Sequence, residues 1–240
     1  MSDKTKTTEI KKNIHDFYKN IEDDPQHRYK SWEHCYAYFY GNKYRLLEPE
    51  ILDKASLHLG MYLASWGMFR GSSGLLWKDY TIYKELIARI APALIRDDTE
   101  ELAVEIGKYL KSVLYTKSGR DNGATDTETE SNKISSSHIN PTITLVSKIM
   151  LGINASSIAL DEYVCDGIKK ECKEDFHSKD YTKILNALVK INGFYENHKS
   201  EFDELQNEIK LKLENGISIP YPKYKLLDMY FFQIGERKSN

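Results

Sequence analysis

The chain has 240 residues, 40% of them hydrophobic and 12% aromatic, which is enough to bury a substantial core and excludes disorder throughout. Its 34 basic and 36 acidic side chains leave a formal net charge of -2, so no global field draws it to nucleic acid or to an anionic membrane. Three cysteines and a polar stretch from Met1 to Lys12, with no apolar signal-peptide core, predict a protein of the reducing cytoplasm.

Apolar residues recur at helical spacing almost everywhere, and no stretch shows a convincing period of two. The expected fold is therefore all-α, a single orthogonal multi-helix bundle over residues 1–240. A first helix is predicted from Thr8 to Ile21, with Ile10, Ile14, Phe17 and Ile21 on one stripe and an acidic stop before Pro25. A second starts at Ser31 and carries Trp32, Cys35, Tyr36 and Phe39 to Gly41. Pro49 opens a third as its first residue, where a missing N–H costs nothing, and this helix runs to a break near Gly67.

The segment Leu57 to Trp77 is the most unusual in the chain. An apolar run meets Trp66, Gly67, Met68, Phe69 and Arg70 and is then cut by Gly71, Ser72, Ser73 and Gly74. It is too apolar for a surface loop and too rich in helix breakers for one core helix, so the chain must turn there while partly buried. His58, Arg70 and the Gly-Ser-Ser-Gly interruption argue against a membrane span.

Asp79 is expected to cap a helix through Ile90 that ends around Pro92, and Asp98 with Glu101 approximates a capping box for a helix through Leu114. Between Lys117 and Ile139 Ser, Thr, Asn, Asp, Glu and Gly dominate, and Ile134 is the only large apolar residue before Ile139. Such a piece cannot offset its ordering entropy by burial, and it is expected to be a disordered polar insertion over 117–139. Asn140 and Pro141 then start a helix broken near Gly152 to Asn154, followed by helices from Ile158 to Cys172, Asp180 to Asn197 and Glu201 to Leu213. An aromatic helix from Tyr224 to Ile234 closes the chain after the extended Pro220-Tyr221-Pro222.

Two glycine corners are the candidate sites. At the first, Arg70, Gly71, Ser72 and Ser73 form a candidate anion-binding nest, with backbone N–H groups turned inward and Arg70 adding charge and a fork of donors. The plainer alternative is that the glycines let helices cross closely while Arg70 caps the last carbonyls of the third helix. At the second corner, Lys148, Gly152 and Asn154 are candidate phosphate ligands, because a Gly-apolar-Gly hairpin presents N–H groups to a phosphate and Asn tolerates the left-handed region.

Metal ligation finds no complete set. Asp161, Cys165, Cys172 and His177 lie close in sequence but match no zinc spacing, so neither metal nor cofactor is expected. Cys165 and Cys172 are about 10 Å apart along a helix, too far for a disulfide. No catalytic signature is evident in the residues themselves.

The stretch NPTITLVSKIMLGINASSIALD resembles the hairpin of helix-hairpin-helix DNA glycosylases, over about twenty residues of a chain of 240. That resemblance implies a lysine or aspartate at a flipped base, which here points to Lys148 and Asp161, although Lys148 precedes the turn where the family's lysine follows it. More widely, the strings YLASWGM, RGSS and PTITLVSKIMLG resemble uncharacterised bacterial all-α proteins, and they imply no activity. The expected function is thus a non-enzymatic binding or interaction module, for a protein partner or an anionic ligand near Arg70. The alternative is a nucleic-acid-binding protein or divergent glycosylase.

Overall fold

The computed structural model describes residues 3–70, 74–117, 136–213 and 215–236. Among them run ten helices: α1 (Asp3–Asp23), α2 (Lys30–Gly41), α3 (Pro49–Ser65), α4 (Ile82–Arg96), α5 (Thr99–Val113), α6 (Ile143–Asn154), α7 (Glu162–Cys172), α8 (Ile184–Asn197), α9 (Lys199–Glu208) and α10 (Lys223–Glu236). A 3-10 turn at Tyr181–Lys183 leads into α8. Two short antiparallel ladders complete the chain, β1 (Tyr115–Lys117) with β2 (Ser136–His138), and β3 (Lys210–Lys212) with β4 (Ser218–Pro220). The fold is helix-dominated, as the 3.6-residue spacing demands.

Buried side chains from all ten helices join one contiguous apolar core. Its tightest seam is α7 against α10. A Cβ on Gly167 would overlap the carbonyl of Phe231, and one on Gly235 would overlap the carbonyl of Tyr163. Each glycine removes the side chain that would hold the partner's backbone away, so the two helices touch main chain to main chain. This seam sets the position of the first turn of α7 relative to α10.

The ends of α3 and α5 follow from local chemistry. Asp98 accepts the Glu101 N–H at 2.9 Å and caps α5. At the end of α3, Gly67 adopts φ +71°, the Gly67 N–H donates to Ala64 and the Met68 N–H donates to Leu63, both at 2.9 Å. This is a Schellman motif, which needs a residue without a Cβ at the left-handed position. It stops the helix with Trp66 turned toward the core.

Four boundaries differ from expectation. Pro92 lies inside α4 rather than ending it, because Ala93 and Leu94 continue the buried face, and the helix stops at the left-handed Asp97. α6 passes unbroken through Gly152, and Ala155, not Asn154, takes the left-handed conformation. α7 begins at Glu162 rather than Ile158, with Asp161 as its N-cap accepting the Val164 N–H at 3.2 Å. α9 ends at Glu208. Lys210, Leu211, Lys212 and Leu213 alternate exposed and buried, a period of two that fits β3 and not a helix.

The polar insertion falls largely at positions 118–135, outside the described residues. Lys117 and Ser136–His138, which the sequence places inside that insertion, instead form part of the first ladder, with Lys117 opposite Ser136. Among the described residues no helix is long and apolar enough to cross a membrane.

Candidate functional site

Two lysines and two aspartates meet in the interior of the bundle. Lys148 lies on α6 with 4% of its surface exposed, and its ammonium stands 3.1 Å from Oδ2 of Asp161. Lys225, 2% exposed, and Asp228, 4% exposed, are one turn apart on α10 and pair at 2.8 Å. All four line one cavity of about 10 Å³, together with Tyr62, Trp66, Leu151, Ala159, Val164 and Phe232.

Secondary structure holds each carboxylate in a double role. Asp161 uses Oδ1 to cap α7 and Oδ2 to face Lys148. Asp228 uses Oδ1 to accept the Ala159 N–H at 2.9 Å and Oδ2 to hold Lys225. The connection between α6 and α7 is pinned beside them. Thr144 donates to the Leu160 carbonyl and the Leu160 N–H donates to Ser147, both at 2.9 Å. The side chains of α6 therefore fix the backbone that delivers Asp161, while the glycine seam fixes α10 and its Lys225–Asp228 pair.

The walls are aromatic. Phe17, Tyr29 and Trp66 form a column of nearly parallel rings, with centroids 4.3 Å apart between Phe17 and Tyr29 and 5.1 Å apart between Tyr29 and Trp66. Phe232 meets all three edge-on. Lys148 stands over Trp66 at 5.4 Å, and Lys225 lies 5.0 Å from Phe17, 5.2 Å from Trp32 and 5.7 Å from Trp66. Ring faces stabilise ammonium groups taken out of water, so the aromatic box offsets part of the desolvation of both lysines. Trp32 is itself locked, its indole donating to the Leu151 carbonyl at 2.9 Å. The indole N–H of Trp66, by contrast, is buried with no acceptor among the described residues.

Solvent reaches the group at its Asp161 side, where 16% of that side chain is exposed. Trp66 is half-buried there, and Arg28 stacks near it with its guanidinium 5.3 Å from the ring centroid. Burial raises the phenol of Tyr62 well above its ordinary value, with Asp228 adding a smaller Coulombic effect, and it also raises the Cys35 thiol. The Tyr62 phenol, which lines the chamber, therefore stays neutral.

The residues singled out from sequence part company here. Lys148 and Asp161 come into contact. Gly152, one turn further along α6, sits inside the helix where Tyr62 and Cys35 pack, and Asn154 faces a different cleft, its side-chain oxygen accepting from Ser156. Lys148, Gly152 and Asn154 are therefore not gathered around one point. Arg70 is exposed, with its guanidinium against Gly67 in the Schellman turn, while Gly71, Ser72 and Ser73 lie outside the described residues. Among the described residues no cluster of His, Cys, Asp and Glu could hold a metal ion, and the three cysteines form no disulfide.

Lys225, Asp228 and the inward Trp66 were not read as site residues from the sequence. The signal was present in the closing helix. Lys225, Asp228 and Phe232 are spaced by three and four, so two charges occupy the same face as an aromatic, where a purely structural helix would carry apolar residues. No family model, curated protein or solved structure matches this chain.

Proposed function

We propose that this protein acts by binding, and that its recognition centre is the Lys148–Asp161 and Lys225–Asp228 chamber rather than the Arg70 turn. One observation carries the reading: four charged side chains, three of them at least 95% buried, surround one cavity in the core. Apolar residues of equal volume would serve stability as well or better, so a buried quartet of this kind marks a site with a use. The solvent-facing Asp161 and Trp66 give a ligand its way in. A reducing, cytoplasmic setting belongs to the same proposal and is supported by three cysteines that form no disulfide.

Tryptophan fluorescence tests it, since Trp66 lines the chamber. Titration with nucleosides, nucleotides and short single-stranded oligonucleotides is expected to give a saturable change with at least one of them, lost in Lys148→Met. A flat response to the whole panel, with the chain folded by circular dichroism, defeats the reading.

A second reading is favoured by the Lys148–Asp161 contact, because the resemblance to helix-hairpin-helix glycosylases points to a lysine and an aspartate at the reacting base. On this view the ligand is a nucleotide projected from a nucleic acid. An oligonucleotide containing an abasic site separates the two. Affinity that falls steeply with added salt supports a nucleic-acid partner, and salt-independent binding of a free nucleoside supports the small ligand.

A further inference from the structure

We propose that the group entering the chamber is a neutral carbonyl oxygen, as in an amide, a lactam edge of a nucleobase or an aldehyde, and that the indole N–H of Trp66 receives it. This rests on the chamber being the binding centre and names the chemistry it takes. The argument begins from hydrogen-bonding capacity. All four carboxylate oxygens are committed, those of Asp161 to Lys148 and the Val164 N–H, those of Asp228 to Lys225 and the Ala159 N–H.

Donors are in excess. Each ammonium carries three N–H groups and faces one carboxylate, and the Trp66 indole N–H, in a side chain that lines the same cavity, is buried without an acceptor among the described residues. A buried donor left unmade is costly, so the missing partner is an acceptor. Size narrows it further. A cavity of about 10 Å³ takes the volume of one small oxygen and not a ring, so the body of the ligand stays at the Asp161 and Trp66 opening with only its tip inside.

Charge decides between a neutral and an anionic oxygen. Lys148, Lys225, Asp161 and Asp228 sum to zero, so the chamber is already balanced. A carboxylate or phosphoryl oxygen would bring an uncompensated negative charge into a low-dielectric interior, whereas a carbonyl brings none. Arg28, stacked on Tyr29 and Trp66 outside the quartet, remains available to an anionic portion of the ligand that stays at the mouth.

The test uses the full chain labelled at the indole nitrogens, which gives signals from Trp32, Trp66 and Trp77, with Trp66→Phe assigning the one of interest. Formamide, a neutral carbonyl, is expected to move the Trp66 N–H proton downfield and saturably, while Trp32, already bonded to Leu151, stays still. Trp66→Phe, which keeps a ring in the column and removes the donor, should weaken formamide binding about tenfold, the size of one hydrogen bond. Formate moving Trp66 as much as formamide does, or neither probe moving it, overturns the inference. If the fluorescence panel binds while formamide leaves Trp66 unmoved, only the carbonyl assignment fails. If formamide moves Trp66 and no member of the panel binds, the carbonyl assignment stands without them.

Discussion

Asp228 carries two obligations with one side chain, holding Lys225 through one oxygen and the Ala159 backbone through the other. Because Asp228 and Lys225 are both almost fully buried, removing the carboxylate leaves an ammonium and an amide without partners in the core. Breaking one side of a buried pair costs about 3–5 kcal/mol, most of it from the charge left behind. Asp228→Ala should therefore lower the unfolding free energy read from urea denaturation by that amount. Replacing both members together, Lys225→Met with Asp228→Leu, should recover most of the loss, since no charge is then left unpaired. Equal destabilisation by the single and double variants would show that the pair matters for packing and not for charge. Tyr221 illustrates the same economy elsewhere. It is fully buried, its hydroxyl donates to the buried Glu33, and burial followed by the Glu33 charge keeps its proton on far above the ordinary range.

The α7–α10 seam is the element-scale feature that builds the chamber, since it aligns the cap of α7 with the Lys225–Asp228 turn. Gly167→Ala would put a methyl into the Phe231 carbonyl, and Gly235→Ala would do the same to Tyr163, so the helices must part in either case. Backbone atoms cannot swing aside as a flexible side chain can. Each variant should cost about 3 kcal/mol, the upper part of the overpacking range, as read by urea denaturation. Gly193→Ala, on the open face of α8 where nothing lies within 4 Å, should instead be neutral or slightly stabilising. If Gly167→Ala is as mild as Gly193→Ala, the seam is looser than described.

Elements governed by nearby residues were legible from the sequence. Pro49 at the first position of α3, the Asp98 cap and the break at Gly67 all depend on a few neighbouring atoms. Where tertiary burial outweighs a local signal, the sequence misled, as at Pro92, carried inside α4 by its buried neighbours, and at Gly152, needed without a side chain to admit Tyr62. The end of α9 was legible in principle, for Lys210 to Leu213 alternate, but four residues are few against a long helical pattern. The site was half legible. Lys148 and Asp161 came forward through a resemblance, yet their meeting with Lys225 and Asp228 depends on α10 folding back across α7, which no local spacing encodes.

At the scale of the whole molecule, the buried tyrosines turn the core into a proton-holding device. Burial raises the phenols of Tyr62, Tyr83, Tyr221 and Tyr230 strongly, and those of Tyr29, Tyr36, Tyr109 and Tyr224 as well, because each would have to ionise in a low-dielectric interior. In the unfolded chain the same groups ionise near their ordinary value of about 10. The sign follows from linkage. Above that value the unfolded state releases protons that the native state keeps, so the free energy of the unfolded state is lowered relative to the native one and stability falls as pH rises. The stabilisation is fully present below about pH 10 and is lost progressively above it, with several tyrosines contributing in the same direction. Tyrosinate absorbance should accordingly show a cooperative step from these buried rings, coinciding with loss of helical circular dichroism. A smooth single titration with the helices intact would mean that solvent already reaches these rings, and the closed aromatic box around Lys148 and Lys225 would have to be given up with them.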